Sequence, residues 1–142
     1  MDEETLILEN QLSFIMYACS KETIRRYKPY LDKVGLTYTQ YIAMLVLWNE
    51  HPITVKDLGR KLFLDSGTLT PLLTKLETKG LVQKRRDPTD KRNVIVDVTE
   101  NGFALKESVK DIPKEVLSLT GVPKEEAKQI LEMLKSVLAR VQ

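Results

Sequence analysis

Residues 54–99 read TVKDLGRKLFLDSGTLTPLLTKLETKGLVQKRRDPTDKRNVIVDVT, and the spacing of their apolar residues changes partway along. Thr54 and Asp57, flanked by Ile53 and Leu58, have the spacing of an N-cap with a hydrophobic staple. They predict a short helix to about Leu62. A tight turn at Phe63 and Leu64 follows. Asp65 or Ser66 then caps a second helix, which carries Leu69, Leu72, Leu73 and Leu76 inward and stops at Gly80, the residue type that most readily ends a helix in left-handed geometry. Pro71 leaves two arrangements open, because proline inside a helix clashes with the carbonyl four residues earlier. Either the first turn is kinked, or the regular helix starts at Pro71 with Thr70 as its cap. After Gly80 the period falls from 3.6 to 2, predicting strands over 81–85 and 94–99 around a charged turn at Asp87, Pro88 and Asp90.

Two helices joined by a tight turn and followed by a basic hairpin make a winged helix-turn-helix. An α-helix fits the DNA major groove, and a narrow extended arm reaches the minor groove or the backbone beside it. Ser66, Thr68 and Thr70 place short hydroxyl groups at the start of the second helix, where the helix dipole also favours anions. Lys75 and Lys79 follow one and two turns on. The run Lys84-Arg85-Arg86-Asp87-Pro88-Thr89-Asp90-Lys91-Arg92 has five cations and two anions. Asp90, two residues before Arg92, is spaced to hold that guanidinium in the fixed pose that minor-groove insertion needs. A basic turn is ordinarily just a solvated face, and Ser or Thr at a helix start is ordinarily a cap. Their occurrence together, in this order, favours DNA recognition. Charge distribution agrees: residues 54–99 hold ten Lys/Arg against six Asp/Glu, although the whole chain of 142 residues carries only +2.

Outward from this module the chain reads as helical. Towards the N-terminus, Thr37 and Gln40 have capping-box spacing, Leu36 and Tyr41 have staple spacing, and Tyr41 to Trp48 is almost wholly apolar. Such a helix is buried on most sides. A first helix is expected over about 5–28, with Leu8, Leu12, Ile15 and Cys19 as one apolar stripe, and Pro29 and Gly35 bracket the connection. Towards the C-terminus, a helix from about Glu100 is expected to kink at Pro113. A last helix over 123–141 carries Ala127, Ile130, Leu131, Leu134, Val137, Leu138 and Val141 on one face, a stripe suited to packing on another chain. The expected fold is mainly α with a small β-hairpin wing, a winged helix-turn-helix within a helical homodimer. It is organised as one domain, 1–142, with the DNA-reading part at 54–99 and dimerisation and sensor helices at 1–50 and 100–142.

Composition narrows the alternatives. With 42% hydrophobic and 30% charged residues the chain reads as a soluble globular protein, and no apolar run approaches the roughly 20 residues of a membrane span. The acidic start at Asp2, Glu3 and Glu4 does not resemble a signal peptide, and one cysteine excludes an internal disulfide framework. The expectation is a cytoplasmic protein with no membrane partner, no metal and no cofactor. An enzyme is disfavoured because His51 is the single histidine, no glycine-rich phosphate loop exists, and no catalytic set can be named. A winged-helix protein-interaction module is the other class. It has no reason to keep Arg85, Arg86 and Arg92 beside Ser66, Thr68 and Thr70.

Several local strings resemble the MarR family of transcriptional regulators, and within it the OhrR-like organic-hydroperoxide repressors and their staphylococcal relatives. These are Leu8-Glu9-Asn10-Gln11-Leu12, Tyr27-Lys28-Pro29, Leu36-Thr37-Tyr38, Gln40-Tyr41, Asp90-Lys91-Arg92 and, most specific, Leu64-Asp65-Ser66-Gly67-Thr68-Leu69-Thr70-Pro71. The resemblance implies a dimeric repressor that reads an inverted-repeat operator in double-stranded DNA. Terminal helices form the interface, the helix from Ser66 lies in the major groove, and Arg92 enters the minor groove. It also implies a sensor in which organic hydroperoxide oxidises a cysteine early in the first helix. Tyrosines matching Tyr17, Tyr27 and Tyr38 hold the thiolate. Other MarR relatives bind a small aromatic effector instead, for which Tyr17, Tyr27, Tyr38, Tyr41 and Trp48 are candidates.

The chain departs from that pattern at one position. Where the resemblance expects the reactive cysteine, after Gln11-Leu12 and before Phe14, stands Ser13. Serine cannot form a sulfenic acid. Cys19 does not replace it, since six residues of helix turn about 600°, which leaves it about 120° off the Ser13 face. Its expected role is a small buried hydrophobe. Ser13 leaves two readings: a natural loss of peroxide sensing, or a Cys→Ser variant locked in the DNA-binding state.

Overall fold

The computed structural model describes residues 3–142. Asp2, part of the acidic start, lies outside them. The chain divides after Lys110 into two compact units.

The first unit opens with two short 3-10 turns, Glu3–Leu6 and Leu8–Asn10, before α1 (Leu12–Asp32). The expected helix over 5–28 therefore begins later. Asn10 Nδ2 donates to the Glu4 carbonyl at 2.9 Å and Gln11 Nε2 to that of Thr5, so side-chain amides take carbonyls that a continuous helix would use. At its other end α1 runs through Pro29, which was expected to stop it. Leu31, 1% exposed, lies in that last turn, and burial of an apolar anchor outweighs one lost helical hydrogen bond.

α2 (Tyr38–Asn49) starts at the full capping box: Gln40 N donates to Thr37 Oγ1 at 3.2 Å, and Thr37 N to Gln40 Oε1 at 3.1 Å. Leu36 and Tyr41, the expected staple, are both buried, and Ala43, Met44, Leu47 and Trp48 continue the core. β1 (Ile53–Thr54) leads directly into α3 (Val55–Leu62), capped by Thr54 Oγ1 accepting from Asp57 N at 3.1 Å. The turn is made by Phe63 at φ 56°, a left-handed conformation uncommon for a bulky residue. α4 (Ser66–Thr78) is capped by Asp65, whose Oδ1 accepts from Thr68 N at 2.7 Å. Of the two arrangements left open for Pro71, the helix starts at Ser66 and includes the proline within it. Gly80, at φ 77°, closes the helix: Gly80 N donates to Glu77 O and Leu81 N to Leu76 O. This is the six-to-one and five-to-two pairing of a Schellman terminator.

β2 (Val82–Arg86) and β3 (Val94–Val98) form the hairpin, in register Val82↔Val98 through Arg86↔Val94. The expected pair is joined by a third strand, because β1 adds antiparallel to β3 and gives the order β1–β3–β2. A two-residue strand carries no readable period.

α5 (Glu100–Val109) completes the first unit. Trp48 Nε1 donates to the Gly102 carbonyl at 2.9 Å in the core. A side chain on Gly102 would lie 2.2 Å from the Leu81 carbonyl oxygen and 2.6 Å from Val98 Cγ1. Gly102→Ala is therefore expected to lower unfolding free energy by about 2 kcal/mol, an overpacking cost. Urea denaturation followed by Trp48 fluorescence measures it, and an unchanged midpoint contradicts the packing described.

The second unit holds α6 (Ile112–Thr120) and α7 (Lys124–Val141). The helix expected to kink at Pro113 is two helices, broken at Lys110 and Asp111, with Pro113 in the first turn of α6, where its missing N–H costs nothing. On α7 the expected stripe is outward: Ile130, Leu131, Leu134, Leu138 and Val141 are exposed on the single chain. Among the described residues no helix is long and apolar enough to cross a membrane, and no cluster of metal-ligating side chains occurs.

Candidate nucleic-acid interface

Ser66, Thr68 and Thr70 are exposed along the first turns of α4. The Asp65 cap fixes how the chain enters that turn and takes up one of its amides, while the remaining amides face outward with the positive end of the helix dipole. Lys75 is exposed further along the same helix. Lys79 is directed elsewhere: its Nζ donates to the Gly35 carbonyl and, at 3.0 Å, to Gln40 Oε1. It ties the end of α4 to the start of α2.

The wing is ordered by its own side chains. Asp87 Oδ1 accepts from Thr89 N at 2.9 Å and Thr89 Oγ1 at 2.8 Å, which holds the Asp87 carboxyl below its usual range. Backbone bonds from Asp87 N to Asn93 O and from Asn93 N to Asp90 O close the turn. Arg86 Nη1 donates to the Lys91 carbonyl at 3.0 Å. Arg85 is exposed, and no such tie reaches it among the described residues.

Arg92 is gripped on two atoms. Its Nε donates to Asp90 Oδ1 and its Nη2 to Asp90 Oδ2, both at 3.0 Å, and its own N–H adds a third bond to Oδ1 at 3.1 Å. The Arg92 side-chain bond, then the backbone bond, lowers the Asp90 pKa, and the same pair raises that of Arg92. The Arg92 side chain is nevertheless 90% exposed, so the guanidinium is oriented without being covered. Lys84 differs: it is half-buried, and its Nζ donates to Thr74 Oγ1 at 3.2 Å. Ser66, Thr70, Lys84 and Arg92 line one open groove of about 410 Å³ among α3, the start of α4 and the wing, together with Lys56, Leu69 and Val94. Hydroxyls from the helix and a cation from the hairpin thus face a common space.

The residues named for a sensor are only partly together within one chain. Tyr27 and Tyr38 stack edge to face with ring centres 5.1 Å apart, and Tyr41 joins them at 5.6 and 6.1 Å. Tyr41 was expected as a staple residue and as an aromatic-effector candidate, not in the sensor set, although its i, i+3 spacing from Tyr38 places it on the same helix face. Burial, then neighbouring phenols, pushes Tyr41 up to about 12; burial raises Tyr27 and Tyr38 as well. Phenols are protonated at neutral pH in any case, and these shifts extend the donor state of all three further into alkali. Tyr17 lies apart, exposed and packed on Phe14 at 6.4 Å. Ser13 is exposed early in α1. Trp48, another aromatic candidate, is a core residue. Cys19, expected to be buried, is exposed on the single chain. The stripe it belongs to, with Leu8, Leu12 and Ile15, faces outward.

Comparison with known proteins gives consistent results. The family description "Transcriptional regulator SarA/Rot" fits residues 25–109. The organic hydroperoxide resistance transcriptional regulator of Bacillus subtilis is 47% identical over 131 residues, 92% of this chain and 89% of that protein. The HTH-type transcriptional regulator SarZ of Staphylococcus haemolyticus is 44% identical over 132 residues, covering 93% and 90%. Among solved structures, reduced AbfR bound to DNA superposes with a TM-score of 0.81 at 38% identity, covering 99% of each chain.

Proposed function

Since the chain belongs to the MarR-type winged-helix transcriptional regulators and matches the family described as SarA/Rot, we propose that it is a cytoplasmic, homodimeric, sequence-specific repressor of the organic-peroxide-responsive type, with Ser13 in the place of that type's reactive cysteine. It is a regulator and not an enzyme, as its relatives are. The observation that carries the DNA reading is the shared groove, in which Ser66 and Thr70 of the helix and Arg92 of the wing face one space. Ser66, Thr68 and Thr70 contact bases or phosphates in the major groove. Lys75, Arg85 and Arg86 neutralise the backbone, and Arg92, held by Asp90, enters the minor groove. Lys84 contributes charge to the same surface from its braced position.

Dimerisation follows from the exposed apolar faces. Leu8, Leu12 and Ile15 near the N-terminus and Ile130, Leu131, Leu134 and Leu138 on α7 leave large hydrophobic side chains in water on a single chain. Exposed apolar faces of that kind, one in each unit, mark association sites. Sedimentation is expected to give a dimer at micromolar concentration, and a stable monomer overturns it. Two-fold symmetry makes the preferred site an inverted repeat with half-sites about one helical turn apart. Selection of duplexes from a random pool, followed by gel-shift titration, tests both specificity and symmetry. Retention of no sequence above background removes the DNA reading in favour of a protein-interaction module.

In the sensor, Tyr27 and Tyr38, with Tyr41 beside them, are donors for an anion brought to them, and Ser13 and Tyr17 belong to the same pocket once a second chain is in place. Ser13 in the reactive position makes the chain as written a DNA binder that does not respond to organic hydroperoxide.

A further inference from the structure

Glu77 is an anion on the helix assigned to the DNA, where phosphates repel it. Its surroundings supply a reason for its presence. The order β1–β3–β2 leaves β2 at the edge of the sheet, with one side unpaired. Such an edge presents free backbone donors. Glu77 Oε2 accepts the Lys84 backbone N–H at 3.0 Å, and Oε1 lies 3.9 Å from Lys84 Nζ. That ammonium donates to Thr74 Oγ1 at 3.2 Å, and the Thr74 hydroxyl donates on to the Thr70 carbonyl at 3.0 Å. Thr74 and Glu77, three residues apart on one helix face, thus hold a single residue of β2 through both its backbone and its side chain.

We propose that Glu77 is a positioning residue for DNA binding: it locks the wing, and with it Arg92, onto the recognition helix. This deepens the DNA-binding reading and rests on it. The gain is pre-organisation, since a wing already fixed against α4 loses less freedom when it meets a groove. Lys84 neutralises the carboxylate, which limits the repulsion that Glu77 imposes on phosphate.

Charge and hydrogen bonding separate cleanly here, because Glu77→Ala and Glu77→Gln remove the same charge while only glutamine keeps an oxygen that accepts the Lys84 N–H. Alanine is the best helix former and Glu77 is partly exposed, so both variants are expected to keep the fold. The probe is a fluorescein-labelled duplex selected from a random pool by the unmodified chain and read by anisotropy. Glu77→Gln is expected to bind more tightly than the unmodified chain, and Glu77→Ala roughly 2- to 10-fold more weakly than Glu77→Gln, the worth of one hydrogen bond. Arg92→Ala is expected to cost less in the Glu77→Ala background than alone, because the two act through one wing. Without DNA, amide exchange at Lys84 is expected to quicken in Glu77→Ala and to stay slow in Glu77→Gln. Equal affinities for the two variants, or unchanged Lys84 exchange in Glu77→Ala, overturns the brace. If the unmodified chain retains no duplex, the DNA reading fails by itself, and Lys84 exchange still decides the brace.

Discussion

Arg92→Ala is expected to weaken operator binding about 100-fold. A single contact to a base or groove is worth about 1–3 kcal/mol, so one wing contributes roughly tenfold, and a symmetric dimer loses two wings at once. The salt dependence is expected to flatten too, the slope of log affinity against log salt falling by about one for each phosphate or groove cation removed. Asp90→Asn separates charge from pose. It leaves Arg92 in place and removes an anion, so simple attraction predicts tighter binding. The bidentate grip on Arg92 at 3.0 Å predicts weaker binding, because the freed guanidinium must be ordered on arrival. The pH window follows from the direction of the shift. Asp90 is held below its ordinary range, chiefly by Arg92. The order it gives is complete above the ordinary carboxylate pKa and lost as pH falls through the lowered value. Wing-dependent affinity should be flat through neutrality and fall only in acid. Anisotropy titrations across salt and pH measure each of these. An Arg92→Ala protein with unchanged affinity and slope removes the wing from the interface.

What the sequence disclosed about this surface was whatever is encoded within a few residues. Thr37 with Gln40, Thr54, and Asp65 at the start of α4 each cap a helix through a neighbour three positions away, so spacing alone locates them. Asp90 and Arg92 are two residues apart, and their pairing needs no distant partner. The misjudged elements depend on groups far along the chain or on competing bonds. β1 exists because Ile53 and Thr54 find Val96 and Ile95. The late start of α1 reflects Asn10 and Gln11 folding back on earlier carbonyls. Its run past Pro29 reflects burial of Leu31, which propensity does not anticipate. At the site, Lys79 looked equivalent to Lys75 by type and helical spacing, and Lys84 looked equivalent to the other cations of the hairpin run. Only the fold shows Lys79 bound to Gln40 and Lys84 to Thr74. Glu77 was invisible for the same reason, since its partner belongs to the unpaired edge of a strand seven residues on.

Ser13→Cys is expected to convert a peroxide-insensitive DNA binder into one that releases its operator in cumene hydroperoxide. A phenol is protonated at neutral pH whatever its surroundings, and burial raises the pKa of Tyr27, Tyr38 and Tyr41 further, so all three are firm donors. Donors of that kind stabilise an anion over its neutral form, so a thiol brought among them ionises more readily. Its thiolate attacks one peroxide oxygen, the O–O bond breaks, and the alkoxide leaves as alcohol once protonated, giving a sulfenic acid on the protein. Placing a polar sulfenic group, or a bulkier mixed disulfide, among packed helices changes the separation of the two recognition helices, and both half-sites can no longer be held together. The hydroxyl of Ser13 has no such chemistry, so the chain as written is expected to stay bound at the same peroxide concentration. Cys19 is exposed on the single chain and stands on a different face of α1. Cys19→Ser should therefore match the unmodified protein, and Ser13→Cys combined with Cys19→Ser should still respond. Anisotropy of labelled operator against peroxide, with mass spectrometry of the oxidised residue, reads all four proteins. Release of DNA by the unmodified chain, abolished in Cys19→Ser, makes Cys19 the sensor and overturns the assignment of Ser13. Retention of DNA by Ser13→Cys with its thiol fully oxidised shows that the pocket forms without being coupled to the recognition helices.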